Sequence, residues 1–262
     1  MTDAPLLVAV DDGIARLTLN RPKAGNAIDQ AMADALVEAA VRVSNDAAIR
    51  VVLLTGTGRL FCAGGDIGAF TAPGSDTASV LTKLAGTLHQ ALILLAGMEK
   101  PFVVAVNGPA AGAGLSLTLA GDITLASDTA HFTAAYGAIG LTPDGGMSWR
   151  LPRAVGFRRA QEILLTNRRV GAAEAEALGI VTRAVPAERL ATEGDALART
   201  LAGGPVRALA ATRALLAESF RNGLADQLAL EARTIAEAGR RAEAQEGLAA
   251  FLARRPPDFR AL

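Results

Sequence analysis

Pro101–Ala120 reads PFVVAVNGPAAGAGLSLTLA, and the rest of the chain is organised around it. The β-branched run Phe102–Val106 ends at Asn107-Gly108, small residues occupy Pro109–Gly114, and the apolar stretch Leu115–Ala120 follows. The pattern predicts a buried strand, a tight turn and the first turn of a buried helix. Small residues at a helix start let a ligand come close to the backbone, where the first N–H groups lack intrahelical partners. Such a place suits a negatively charged oxygen. Close packing of the helix would demand the same small residues, so both readings stand at this level.

A second copy of the pattern lies upstream. Arg50–Thr55 (RVVLLT) is a candidate buried strand, Gly56–Gly65 is a turn-rich connection containing Cys62-Ala63-Gly64-Gly65, and Asp66 is placed to cap a helix that begins IGAF. Two helix starts on neighbouring strands could aim two backbone N–H groups at one point, the geometry of an oxyanion hole.

The flanking sequence supplies the remaining layers. Leu6–Val10 and Ile14–Asn20 surround Asp11-Asp12-Gly13 and predict a β-hairpin. Asp29 precedes a helix carrying Met32, Leu36, Ala39 and Val43, and Val80–Leu95 marks a long helix stopped by Pro101. Beyond the central stretch come a strand at Asp122–Ser127, an extended piece at His131–Ala134, a turn at Pro143–Gly146 and a helix through Trp149–Leu151. Phe157–Leu165 and Ala172–Leu178 also read as helical. From Ala187 to Ala253 the pattern is helical, broken at Gly203-Gly204-Pro205 and Asn222-Gly223. The expected organisation is therefore a mixed α/β core over residues 1–190 and a helical subdomain over residues 191–262.

Composition narrows the function. The 262 residues are 51% hydrophobic and 4% aromatic, and 26 basic residues balance 26 acidic ones. That balance gives no bulk charge for nucleic acid or an anionic membrane. A single Cys excludes an internal disulfide framework, and two His argue against a His-based metal site. The sequence shows no signal-peptide pattern and no run of about 18 apolar residues, so a cytoplasmic protein without a membrane partner is expected. Gly112-Ala113-Gly114 starts like a dinucleotide fingerprint but has Leu117 at the third glycine position, and Ser116 lacks the glycine flanks of a nucleophile elbow.

An ordered set of segments carries a clear family likeness: LNRPKAGNAID at 19–29, FCAGGDI at 61–67, NGPAAGAGLSL at 107–117, IGLTPDGG at 139–146, LPRAVG at 151–156 and FLARRPPDF at 251–259. Over almost its whole length the chain resembles the crotonase superfamily, the enoyl-CoA hydratases and isomerases. The resemblance implies a ββα spiral core, C-terminal helices that assemble homotrimers or hexamers, and an acyl-CoA thioester substrate with no cofactor beyond the CoA it carries. It also implies an oxyanion hole made by the backbone N–H groups of Gly65 and Ala113. Lys23, Ala24, Ala63, Asp66 and Ile67 match the family's CoA-contacting segments, and Gly112 and Tyr136 match its substrate pocket. Asp66 remains equally readable as a helix cap.

One departure bears on the chemistry. The two glutamates of typical hydratases fall here on Ser116 and Tyr136, so the water-activating pair is missing. The carboxylate left nearby is Asp144, in an arrangement similar to the 1,2-epoxyphenylacetyl-CoA and Δ3,Δ2-enoyl-CoA isomerases. The 4-chlorobenzoyl-CoA dehalogenases also carry an Asp there, together with an activating His for which His89 is the candidate. Locally, Asp144 reads as an N-cap for the Met147–Leu151 helix, whereas the family likeness makes it the base. Ile139, Leu141 and Met147 are placed to make its pocket apolar, with Tyr136 as lining and Ser116 as a packed hydroxyl. The expected activity is isomerisation of an enoyl-CoA or ring-epoxide acyl-CoA. An enoyl-CoA hydratase and a non-catalytic acyl-CoA-binding protein are the alternatives.

Overall fold

In the computed structural model, which describes residues 4–71, 74 and 76–262, the opening hairpin forms as the sequence predicts. Asp12 and Gly13 both adopt positive φ (51° and 75°), the turn whose twist matches that of paired strands. The strands are β1 (Leu6–Asp11), β2 (Ile14–Leu19), β3 (Val51–Gly56), β4 (Phe102–Val106), β5 (Ala110–Ala111), β6 (Ile123–Ser127), β7 (His131–Thr133), β8 (Val170–Gly171) and β9 (Arg183–Val185). The helices are α1 (Gln30–Asn45), α2 (Ile67–Phe70), α3 (Thr77–Gly97), α4 (Ala113–Thr118), α5 (Met147–Val155), α6 (Phe157–Thr166), α7 (Ala172–Leu178), α8 (Leu190–Ala202), α9 (Val206–Glu218), α10 (Leu224–Gly239) and α11 (Ala242–Leu252).

A six-stranded sheet runs β1-β2-β3-β4-β6-β9, antiparallel between β1 and β2 and parallel thereafter. A parallel sheet must be covered on both faces, and alternation along each strand shows how. Val52, Leu54, Phe102, Val104 and Val106 point to the layer that contains α1 and α3. Val51, Leu53, Val103 and Ala105 point to α8, which meets them with Ala198 and Ala202. Gly194 of α8 comes so close that a Cβ there would lie 3.4 Å from the Ala105 methyl. The first of the C-terminal helices therefore belongs to the sheet's packing, while α9–α11 extend past it and leave Phe220, Leu224, Leu228 and Ile235 exposed.

A smaller sheet, β5-β7-β8, stands beyond the C-terminal ends of β3 and β4. Isolated bridges Cys62↔Ala110 and Ile28↔Gly65 tie the two glycine-rich turns to it and to the loop before α1. By length and hydropathy α3 would pass for a membrane span. Its Leu84, Leu88, Ala91, Leu92 and Leu95, at helical spacing, are buried in the core. Four elements depart from the sequence reading. The short strands β5, β8 and β9 fall where no alternation is long enough to register, β5 inside the stretch read as a tight turn. The expected continuous helix beyond Asn222-Gly223 breaks at Arg240-Arg241 into α10 and α11.

Candidate active site

The two glycine-rich turns lie against each other. Phe61 N–H donates to Pro109 O at 3.1 Å and Ala111 N–H to Cys62 O at 2.9 Å, so backbone hydrogen bonds stitch the turn after β3 to the turn after β4. Gly112 then takes φ 51° and ψ −124°, a conformation open to glycine alone, and delivers Ala113 as the first residue of α4. Among the described residues neither Gly65 N–H nor Ala113 N–H has an acceptor in the protein. Both groups border one cavity of about 470 Å³. Two free backbone donors on rigid, mutually bonded turns are what an oxyanion requires.

The same cavity is bordered by Ala63, Ile67, Gly112, Tyr136 and Asp144, seven of the ten predicted positions once Gly65 and Ala113 are included. Lys23, Ala24 and Asp66 do not line it. Lys23 and Ala24 sit on the exposed turn Pro22–Ala24, next to the cavity wall because Ala63 N–H donates to Gly25 O at 2.9 Å. Asp66 caps α2 through Gly68 N–H at 3.1 Å and pairs with Arg21 at 3.0 Å. Its carboxylate is engaged on both sides, which supports the helix-cap reading.

Asp144 corrects the capping expectation. The residue before α5 is Gly146, which provides no side-chain cap, and Asp144 contributes only its backbone carbonyl, to Met147 N–H at 3.1 Å. Two consecutive positive-φ glycines, Gly145 and Gly146, redirect the chain so that the carboxylate faces the cavity instead. There Oδ1 accepts the Tyr136 hydroxyl at 2.6 Å. The backbone of this turn is held from two further elements: Ser116 Oγ donates to Asp144 O at 2.9 Å, and Gly145 N–H donates to His89 Nε2 at 2.9 Å. His89 therefore uses the ring lone pair that an activating base would need. Ser116, fully buried, is the packed hydroxyl expected of it. Met147 does not reach the cavity; it is buried beneath the turn, while Ile139 and Leu141 do form the wall.

Burial, then the negative charge and hydrogen bonding of Asp144, push the Tyr136 phenol well above the usual tyrosine range. It stays protonated and donates. Burial pushes the Cys62 thiol up to about 12, which removes it as a nucleophile. Among the described residues no group of three or more His, Cys, Asp or Glu side chains is assembled as for a metal ion. The apolar wall that the sequence left unassigned comes from Phe70 and from Leu84 and Leu88 of α3. The i, i+4 spacing of Leu84 and Leu88 was visible, but it reads equally well as core. The segment Thr71–Leu81 reads from its sequence as a pocket wall that sets acyl specificity; Leu81 at its end lines the cavity, while Ala72, Pro73 and Ser75 lie outside the described residues.

Residues 9–261 match the family model described as enoyl-CoA hydratase/isomerase. A relative named "Probable enoyl-CoA hydratase" from Rhodobacter capsulatus is 41% identical over 250 residues, covering 95% of each chain. The 1,2-epoxyphenylacetyl-CoA isomerase of Escherichia coli K12 is 39% identical over 255 residues, covering 97% of each. The crystal structure of an enoyl-CoA hydratase from Polaromonas sp. JS666 superposes with a TM-score of 0.93 at 34% identity, over 97% of this chain and 99% of that one.

Proposed function

The chain belongs to the enoyl-CoA hydratase/isomerase family of acyl-CoA enzymes, and on that premise we propose that it isomerises an unsaturated or ring-epoxide acyl-CoA with Asp144 as its one base. The observation that carries this reading is the state of the three polar side chains around the turn. Ser116 is bonded to backbone and Tyr136 is a protonated donor. A carboxylate pair that could activate water is absent from these positions, and Asp144 Oδ2 has no donor among the described residues.

In the proposed reaction the thioester oxygen lies between the N–H groups of Gly65 and Ala113. Asp144 takes a proton from Cα of a 3-enoyl group, the C–H electron pair passes into a dienolate, and negative charge grows on the thioester oxygen. The same carboxyl returns the proton at Cγ, which leaves the double bond at the 2,3 position. Each backbone donor is worth about 3 kcal/mol to such a transition state. Lys23 and Ala24 would meet the CoA portion outside the cavity. CoA enters as part of the substrate, and no separate cofactor is proposed. The apolar side chains exposed on α10 (Leu224, Leu228 and Ile235) support assembly as the homotrimer, or pair of trimers, that the family likeness implies.

The test is a paired assay with Asp144→Asn beside the wild type. A 3-enoyl-CoA should gain conjugated-thioester absorbance, whereas a 2-enoyl-CoA should be hydrated slowly. Asp144→Asn should lower isomerisation by about 10²–10⁴-fold with little change in acyl-CoA affinity. Undiminished turnover in the variant would remove Asp144 from the mechanism. Rapid hydration by the wild type would favour the activity in the name of the Rhodobacter relative, and binding without turnover would favour a non-catalytic protein.

A further inference from the structure

We infer that Tyr136 is a positioning residue, whose phenol holds Oδ1 of Asp144 so that Oδ2 alone exchanges a proton with the acyl chain. The inference rests on the isomerase reading and deepens it. Its first support is the contact itself: an O–H···O⁻ bond of 2.6 Å is the short, charge-assisted kind. The turn's backbone is already held by Ser116 and His89. What stays free at Asp144 is side-chain rotation, and Tyr136 removes it.

The second support is the effort the fold makes to aim Tyr136. Ala135, just before it, sits at φ +69°, a left-handed conformation that a non-glycine residue rarely adopts. Asn167, itself at φ 52°, accepts the Ala135 N–H through Oδ1 at 2.5 Å and holds that conformation. After Tyr136, both Ile139 N–H and Leu141 N–H donate to its carbonyl, at 3.1 and 3.0 Å. A strained residue pinned from a separate helix end and followed by a hydrogen-bonded turn directs one side chain into the cavity. A wall residue needing only apolar contact would not require this.

The consequence is chemical. The phenol occupies the site on Oδ1 that a water molecule would otherwise take. The proton that leaves Cα forms an O–H bond at Oδ2, where no second donor or acceptor among the described residues competes for it, and then returns to Cγ of the same molecule. Isomerisation should therefore proceed with transfer of the substrate's own proton.

The experiment measures Tyr136→Phe against the wild type on a 3-enoyl-CoA in D₂O. Expected results are a kcat about 10–100-fold lower, since misplacement by about 1 Å costs on this order, with KM and Tm near wild type. Deuterium incorporated per turnover should rise above the low wild-type level. A kcat within twofold and unchanged deuterium content would overturn the inference. If Tyr136→Phe does not fold, Ala135→Gly relieves the positive-φ strain and loosens the aim. It should keep or raise Tm while lowering kcat and raising deuterium uptake, and wild-type values for both would overturn the inference equally. Asp144→Asn separates the two levels. Full turnover in that variant sinks the isomerase reading, whereas an inactive Asp144→Asn beside an unaffected Tyr136→Phe sinks only the role of Tyr136.

Discussion

Gly114→Ala tests whether contact between the two turns builds the proposed oxyanion hole. A methyl at Gly114 would lie 2.3 Å from Cys62 O, 2.8 Å from Cys62 Cβ and 3.0 Å from Cys62 C. Two of these obstacles are backbone, so no side chain can swing aside. Reaching ordinary van der Waals separation requires the turns to part by about 1 Å. Overpacking of this kind costs about 1–3 kcal/mol, and weakening the Ala111 N–H···O Cys62 bond adds about 1 kcal/mol. For a chain of this size that is a drop in Tm of roughly 5–15 °C. The same displacement separates Gly65 N–H from Ala113 N–H, and a misplacement of about 1 Å lowers kcat by about 10²-fold. KM should change less, because Lys23 and Ala24, where we propose that CoA binds, lie outside the contact. Thermal unfolding by circular dichroism and the 3-enoyl-CoA assay read the two effects. A Tm within about 1 °C of wild type, together with a kcat within twofold, would refute the idea that backbone contact sets the site.

Two other perturbations separate local propensity from site geometry. Gly86 is exposed in the interior of α3, and a methyl group added there would meet nothing within 4 Å, so Gly86→Ala should stabilise the protein by about 0.5–1 kcal/mol and raise Tm by about 2–4 °C; a fall in Tm would show that α3 is packed differently there. Glu246 accepts from Arg255 at 2.6 and 2.8 Å and from Asp258 N–H at 2.7 Å, and these bonds lower its carboxyl from 4.5 to about 2. Because the folded value is depressed, the stabilisation is complete above 4.5 and is lost as the pH falls towards 2. Amide exchange at Arg255, Asp258 and Phe259 should accelerate across that window while β3 and β4 stay protected, and exchange that does not vary with pH beyond its intrinsic dependence would refute the assignment.

Much of the fold was legible because its causes are local. The apolar runs at 51–54 and 102–106, the Asp12-Gly13 turn, the Asp29 and Asp66 caps and the glycines before Ala113 each answer to sterics or hydrogen bonding within a few residues. The pairing of the two glycine-rich turns was readable for the same reason, since each repeats strand, turn and helix start. What tertiary structure alone decided were contacts that close through space. β9 is only three residues long and exists because β6 offers it an edge. Leu84 and Leu88 become cavity wall because α3 packs beside α1 in the same layer. Asp144 illustrates the division most sharply. Its local sequence, between Pro143 and Gly145-Gly146, describes a helix cap. Yet the carboxylate meets Tyr136 across eight residues, and its turn is held by Ser116 from 28 residues away and His89 from 56. A residue's type and neighbours determine which hydrogen bonds it can make; which one it does make depends on the partners that folding brings within about 3 Å.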